Sequence, residues 1–466
     1  MEERIGALSL SRLAAVAIPL AVSLATFGLY LRTAARTITW AHGGGDGPEL
    51  SAAAAVLGIA HPPGYPLYLL LGHLFAQLPV GEVAFRVGLV SAVAAAIGAG
   101  LAAHLAARLA TEVGGAKSAG SLPPAVAGVA AGVILATSPM YWSQATIPEV
   151  YALHAALALL ALVLLASWRP GRDSLVVAIF LLFGLGLANH VTLVFLVVPA
   201  TLFLIFQDPG LFRRRTVLFA PLAFLAGLAL YLYLPLRAAA VPTLNWGDPS
   251  DPSRFLAHVT ARDYQGYWGG RPWGDVLARI PVMAQLLISQ LTWPGLVLAL
   301  VGLAELARRR PALLRLLVGY ILVTLGFTLF YNAENSQIYL LPAVLVLAPL
   351  MGLGLAQLAL SRLGLTLALT ATVAIPAWQI WTNWESMDVS RDRSAATYAR
   401  ETLANATTDG VLITDHDEQT FVLWYVQAVE GMRPDVAVVD RRLLAADWYR
   451  SEIERQHPGT LERLRP

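Results

Sequence analysis

The stretch RTITWAHGGGDGPELSAAAAVLGIAHPPGYPLYLLLGHLFAQLPVGEV, residues 36–83, is apolar enough for a membrane yet cannot cross one as a single helix. Its GGGDGPE run (43–49) breaks any helix entering from the N-terminal side, because glycine and proline punctuate helices. Pro48 and Glu49 suit the first turn of a new helix over about 49–59, with Asp46 or Gly47 near its N-cap. HPPGYP (61–66) ends that helix, and a second short, amphipathic segment covers 66–78. Non-spanning backbone beside a membrane must be covered by protein or water, so both segments are expected to be re-entrant or to lie at the interface.

Working outward, apolar segments run over 12–35, 84–107, 121–137, 147–167, 174–189, 191–207, 216–236, 276–302, 316–331, 338–360 and 364–381. They predict about eleven transmembrane helices, the first of them retained and not cleaved as a signal peptide. The chain is 57% hydrophobic and only 13% charged, which excludes an ordinary soluble enzyme. Of its charged residues, 25 fall in the last 85 positions and 37 in the first 381. A transmembrane domain over 1–381 followed by a small polar domain over 382–466 is therefore expected. With the N-terminus inside, the short inner loops hold fourteen Lys and Arg against eight in the longer outer ones, and the tail falls outside. There are no cysteines, so disulfides and thiol nucleophiles are excluded. No clustered basic patch suggests nucleic acid, and no GxxxxGK[ST] loop suggests ATP.

The polar residues worth chemical attention gather on the outer side. Asp46 and Glu49, three residues apart, either cap and pair structurally or accept a proton from a hydroxyl. With His42 and His61 they also offer an optional N/O set for a divalent cation. After the third span, YWSQATIPEVYALH (141–154) carries Ser143, Gln144, Glu149, Tyr151 and His154 at the mouth of the next helix. An ionisable residue there faces a cavity or an internal ion pair. Asn189 and His190 separate two apolar runs, as a tight turn or as a ligand contact. Arg237 ends an apolar helix, where a guanidinium clamps a phosphate, snorkels to headgroups or forms an ion pair. The following loop brings Asn245 and aromatic residues including Trp246, Tyr264 and Tyr267, which suit the headgroup zone and can equally stack on sugars. FYNAENSQIYLLP (330–342) adds Tyr331, Asn332, Glu334 and Tyr339.

In the tail, VLITD and VAVVD read as strands flanking the helix EQTFVLWYVQAVEG, a βαβ unit stopped at Gly431. The acidic DHDE run (415–418) after the first strand is a metal candidate or an ordinary acidic helix start.

Taken together, DGPELSAAAAVLGIAHPPGYPLYLLLGHLF (46–75), YWSQATIPEVYALH, GLANHVTLVF (186–195), YLYLPLRA (231–238), LNWGDP (244–249) and RPDVAVVD (433–440) resemble the protein O-mannosyltransferase-like family. That family is similar to the GT-C membrane glycosyltransferases and has many bacterial members. The resemblance implies an all-α, polytopic GT-C-like fold with a small C-terminal α/β segment, in a bacterial inner membrane. It implies an inverting enzyme that moves a sugar, usually mannose, from a polyprenyl phosphate to a protein or glycan hydroxyl on the extracytoplasmic face. By the same resemblance Asp46 is the catalytic base, and Glu49 its neighbour orients the site or a cation. Arg237 is the phosphate candidate, and His61, Glu149, His190, Asn245, Trp246 and Glu334 contact substrate. Gly47-Pro48 stands where the commoner family motif has Ser-Gly. The main rival readings are a secondary transporter or lipid flippase, which expects broken mid-membrane helices and an inverted repeat, and a non-catalytic scaffold.

Overall fold

The computed structural model describes residues 2–114, 122–333 and 336–464, with side chains from residue 15 onward. Glu334, expected among the substrate contacts, lies outside the described residues. Helices dominate, because apolar runs in a membrane must satisfy every backbone polar group internally. The bundle is centred on Val83–Gly114 and Ser336–Leu358, whose most apolar windows are 78% and 83% buried. Ala15–Thr33 and Val217–Ala239 are far more exposed and form its periphery.

Small residues let the central helices approach closely. Trp293–Arg309 and Leu341–Leu358 meet through Gly302 and Gly354. A Cβ on Gly302 would lie 2.0 Å from the Leu350 carbonyl oxygen, and one on Gly354 would lie 2.1 Å from that of Leu298. Both obstacles are backbone, so a larger residue must push the helices apart. Gly354→Val is accordingly expected to destabilise the protein by about 1–3 kcal/mol or more, read as a lower thermal midpoint in detergent. An unchanged midpoint would show that the close approach is dispensable.

The number of spans differs from the eleven expected. Seven described helices are long and apolar enough to cross a membrane, or nine if each of two bent pairs is one span. The segment expected over 276–302 is one such pair, bent by 93° between Leu291 and Trp293. The other difference lies at 174–189 and 191–207. They fold as Asp173–Leu187 and Val191–Gln207, interrupted at Asn189-His190. At about 1.5 Å per residue these helices reach only about 22–25 Å, short of a hydrocarbon core of about 30 Å.

The two ends of the bundle are chemically distinct. At one end Glu112 binds Arg108 at 2.9 Å, Arg169 at 3.1 Å and also Arg310, joining three of the loops expected inside. At the other end the first loop, the 138–149 turn and the tail pack together. The short helices Gly47–Val56 and Pro66–Ala76 form there as the sequence suggests, and Leu57 closes the first in the left-handed region.

The last long helix runs on to Met387, and the tail follows. Strands Val411–Thr414 and Ala437–Asp440 pair in parallel around the helix Asp417–Glu430, which Gly431 terminates at φ +69°. This small α/β unit is anchored on the first loop. The Trp40 indole donates to the Glu418 carbonyl at 3.0 Å, the Ala84 N–H donates to the Tyr425 hydroxyl at 3.1 Å, and Arg400 bridges Glu82 and Glu430.

Candidate active site

Asp46 precedes the helix Gly47–Val56 at its N-cap position, yet its side chain makes no capping hydrogen bond. The carboxylate is 48% exposed and faces a cavity of about 540 Å³. Gly44 and Gly45 hold the backbone tightly at this point. A Cβ on Gly45 would meet the Glu418 side chain at 2.9 Å, so the tail helix closes directly over the Asp46 turn.

Behind Asp46 lies a buried proton-sharing pair. Glu49 is 1% exposed, one turn into the same helix. Its Oε1 accepts the His61 backbone N–H at 2.8 Å, and its Oε2 lies 2.6 Å from His61 Nδ1. On the other ring edge, His61 Nε2 is 2.8 Å from the Tyr65 hydroxyl and 3.8 Å from Asp46. Burial works against an imidazolium at His61, but the Glu49 and Asp46 carboxylates and the Glu49 hydrogen bond outweigh it and raise the group to about 10. Burial also raises the Glu49 carboxyl, which His61 partly offsets. The direction that follows for the pair is a proton held on His61, with Nδ1–H donating to Glu49. Phe421 of the tail stacks on the imidazole at 6.4 Å and 12°.

Glu149 and His190 complete the polar wall. Glu149 caps the helix Val150–Ser167, accepting the Val150 N–H at 3.1 Å, and Ser91 fixes its backbone. It forms no ion pair among the described residues; burial first, and then the Asp46 charge, push its carboxyl well above the ordinary range. His190 bonds Thr192 at 2.7 Å and stacks on Tyr65 at 5.9 Å. Burial holds it well below the usual histidine value, so it is a neutral ring. Gln144 lines the same space, and its buried carbonyl oxygen has no partner. The same cavity is also lined by the apolar residues Met140, Leu286, Phe327 and Ile338.

The structure thus brings Asp46, His61, Glu149 and His190 onto one cavity, while other expected residues are placed elsewhere. Arg237 lines neither this cavity nor its neighbour; its Nε donates to the Leu57 carbonyl at 2.7 Å and ties off the first-loop helix. Among the described residues no Lys or Arg lines the large cavity, and His61 is its internal cation. Asn245 and Trp246 face a second cavity behind Glu49. The optional cation set of His42, His61, Asp46 and Glu49 is not assembled. His42 is spent on the Ser386 carbonyl at 2.8 Å and on Thr146, and no three candidate ligand side chains converge among the described residues. The acidic run after the first tail strand is likewise occupied, Asp415 by Arg441 at 2.7 Å and Asp417 by Arg442. Two partners escaped the sequence reading. Tyr65 was signalled only by its place four residues after His61, and Phe421 by nothing local, since it arrives from the tail.

Residues 46–210 match the family model described as the protein O-mannosyl-transferase TMEM260 N-terminal domain, and residues 395–459 that of TMEM260-associated domain 2. The mouse protein O-mannosyl-transferase TMEM260 is 28% identical over 452 residues, 89% of this chain and 62% of that protein. Its Dictyostelium discoideum counterpart is 24% identical over 485 residues, 87% of this chain and 55% of that one. The chain therefore spans only 55–62% of the length of these relatives. Among solved structures, the crystal structure of ArnT from Cupriavidus metallidurans bound to undecaprenyl phosphate aligns at TM-score 0.59 and 15% identity, covering 93% of this chain and 91% of ArnT. The apo form aligns at TM-score 0.57 and 17% identity, covering 93% and 90%.

The fold is that of a GT-C-like polytopic membrane protein with a small α/β extension. Two family models match in chain order, and the two relatives align across 87–89% of this chain. Over these segments the chain is similar to the protein O-mannosyl-transferase TMEM260 family.

Proposed function

We propose that this protein is an inverting glycosyltransferase that moves a sugar from a polyprenyl-phosphate donor to a hydroxyl acceptor. The observation that carries the reading is Asp46, an uncapped, half-exposed carboxylate on a cavity lined by both polar and apolar side chains. The polyprenyl chain would lie along Phe327, Ile338 and Leu286, and the sugar against Gln144, Glu149 and His190. Asp46 accepts the acceptor hydroxyl's proton as that oxygen forms its bond to the anomeric carbon. The bond from this carbon to the phosphate oxygen breaks on the opposite face, inverting its configuration, and polyprenyl phosphate leaves with the electron pair. His61, held protonated by Glu49, supplies positive charge beside the site in place of the expected Arg237. Tyr65 fixes the ring at its other edge.

Mannose as the sugar and a protein hydroxyl as acceptor are supported by the similarity to relatives named as protein O-mannosyl-transferases, and a glycan hydroxyl is the other acceptor of the same chemistry. The inside bias of Lys and Arg supports an N-terminus in the cytoplasm and a site facing out of a bacterial inner membrane. The test is purified protein with labelled polyprenyl-phosphate mannose and hydroxyl acceptors. Label is expected on the acceptor through an inverted linkage. No transfer from any of a panel of polyprenyl-phosphate sugars, together with movement of the lipid across vesicle bilayers, would establish the flippase reading instead.

A further inference from the structure

The tail, the first loop and residues 241–246 line a second cavity, of about 330 Å³, which the transfer step above does not use. Glu49 forms part of its wall, so the Glu49–His61 pair partitions it from the large cavity where Asp46 sits. Three indoles contributed by separate segments surround it. Trp246 comes from the loop after Arg237, Trp424 from the tail helix Asp417–Glu430, and Trp448 from the helix Asp447–Gln456. The Trp246 ring lies 6.2 Å from Trp424 at 75° and 5.7 Å from Trp448 at 38°.

Asn245 also lines the cavity and is 8% exposed. Its amide nitrogen reaches Asp248 at 3.5 Å, but its buried carbonyl oxygen has no partner. An orphaned buried acceptor is costly unless a ligand donates to it. The charged side chains at the rim are already matched, Arg455 with Glu452 at 3.2 Å, so the cavity has no net charge to offer an ionic ligand. A wholly apolar ligand would leave the Asn245 oxygen unpaired, and an anion such as a phosphate would meet Glu49 and Glu452. The chemistry that suits all of these is a neutral ring with an apolar C–H face for the indoles and hydroxyls at its edge for Asn245. The size lies within the range of about 300–1,000 Å³ usual for small-ligand sites.

We infer that this cavity binds a hexose ring, as an acceptor-side subsite that holds a sugar already present on the acceptor. The inference deepens the glycosyl-transfer reading and rests on it for the role of the bound sugar, but not for its binding. It gives the tail a role in recognition, since Trp424 and Trp448 complete a pocket whose other side is formed by the first loop and residues 241–246. It also narrows the acceptor to one that is itself glycosylated.

The test is saturation-transfer NMR on the full chain in detergent, titrated with methyl α-mannoside and methyl α-glucoside. Saturable binding of at least one hexoside is expected. Asn245→Ala and Trp448→Ala should each weaken it by about tenfold, with Trp448→Phe restoring most of it. Asp46→Asn, which lies across the partition, should bind as wild type whether or not the protein transfers sugar, so loss of the transfer reading leaves this result intact. No saturable hexoside binding to the wild type would overturn the proposal. So would binding unchanged by Asn245→Ala, or displacement by a blocked Ala-Ser-Ala peptide that binds where the sugars do not.

Discussion

Replacing Asp46 by asparagine is expected to lower sugar transfer by roughly 10²–10⁴-fold, the contribution usual for a positioned general base. The amide has nearly the shape of the carboxylate but cannot take a proton. Because Asp46 neither caps its helix nor forms a close ion pair, the substitution should leave the fold unchanged. Its nearest charged partner, His61 at 3.8 Å, keeps the much closer contact to Glu49. Turnover and the thermal midpoint, measured on the same preparation, separate the two effects. A large loss of turnover with an unmoved midpoint is the expected result. Equal turnover in both proteins would remove Asp46 from the chemistry.

Glu49→Ala acts through stability first. It strips two acceptors from His61, leaving a buried backbone N–H and a buried imidazole without their partners. Breaking a buried pair in this way costs about 3–5 kcal/mol, enough to consume much of an ordinary folding free energy. Glu49→Gln is the milder probe. Its carbonyl oxygen can still accept one N–H, but it no longer holds the proton on the ring. The pH dependence follows from the sign of the shift. His61 is raised from its ordinary 6.5 to about 10, burial being outweighed by the two carboxylates, so its contribution to stability is complete below 6.5 and is lost as pH rises through about 10. Wild-type thermal midpoints should therefore fall across that alkaline window, and the His61 part of the fall should vanish in Glu49→Gln. A wild-type midpoint that rises through the same window would contradict the protonated pair.

Much of this arrangement was legible in the sequence because its signals are local. GGGDGPE and HPPGYP punctuate the first loop so firmly that both short helices fall where glycine and proline allow them. The alternation of strand, helix and strand in the tail, with Gly431 as the stop, is similarly a matter of adjacent residues. Hydropathy alone misjudged the spans at Asn189-His190. It counts apolar residues, whereas the break there shortens two helices below membrane length. Side-chain direction was not legible either. Arg237 stands in the last turn of an apolar helix as expected, but a free carbonyl at the end of the first-loop helix claims its Nε. The role of His61 depends on Glu49, Tyr65, Asp46 and Phe421 together, and the last comes from the far end of the chain. Non-local partners of that kind leave no spacing to read.

The central claim is that a lipid-linked sugar sits in the large cavity with its reacting carbon beside Asp46. Cryo-electron microscopy of the protein bound to a non-transferable polyprenyl-phosphonate mannose tests it most directly. The account predicts lipid density along Phe327 and Ile338, the phosphonate nearer His61 than Arg237, and the anomeric carbon close enough to Asp46 to admit one acceptor hydroxyl between them. Density for the lipid head elsewhere, or an anomeric carbon separated from Asp46 by protein, would contradict it.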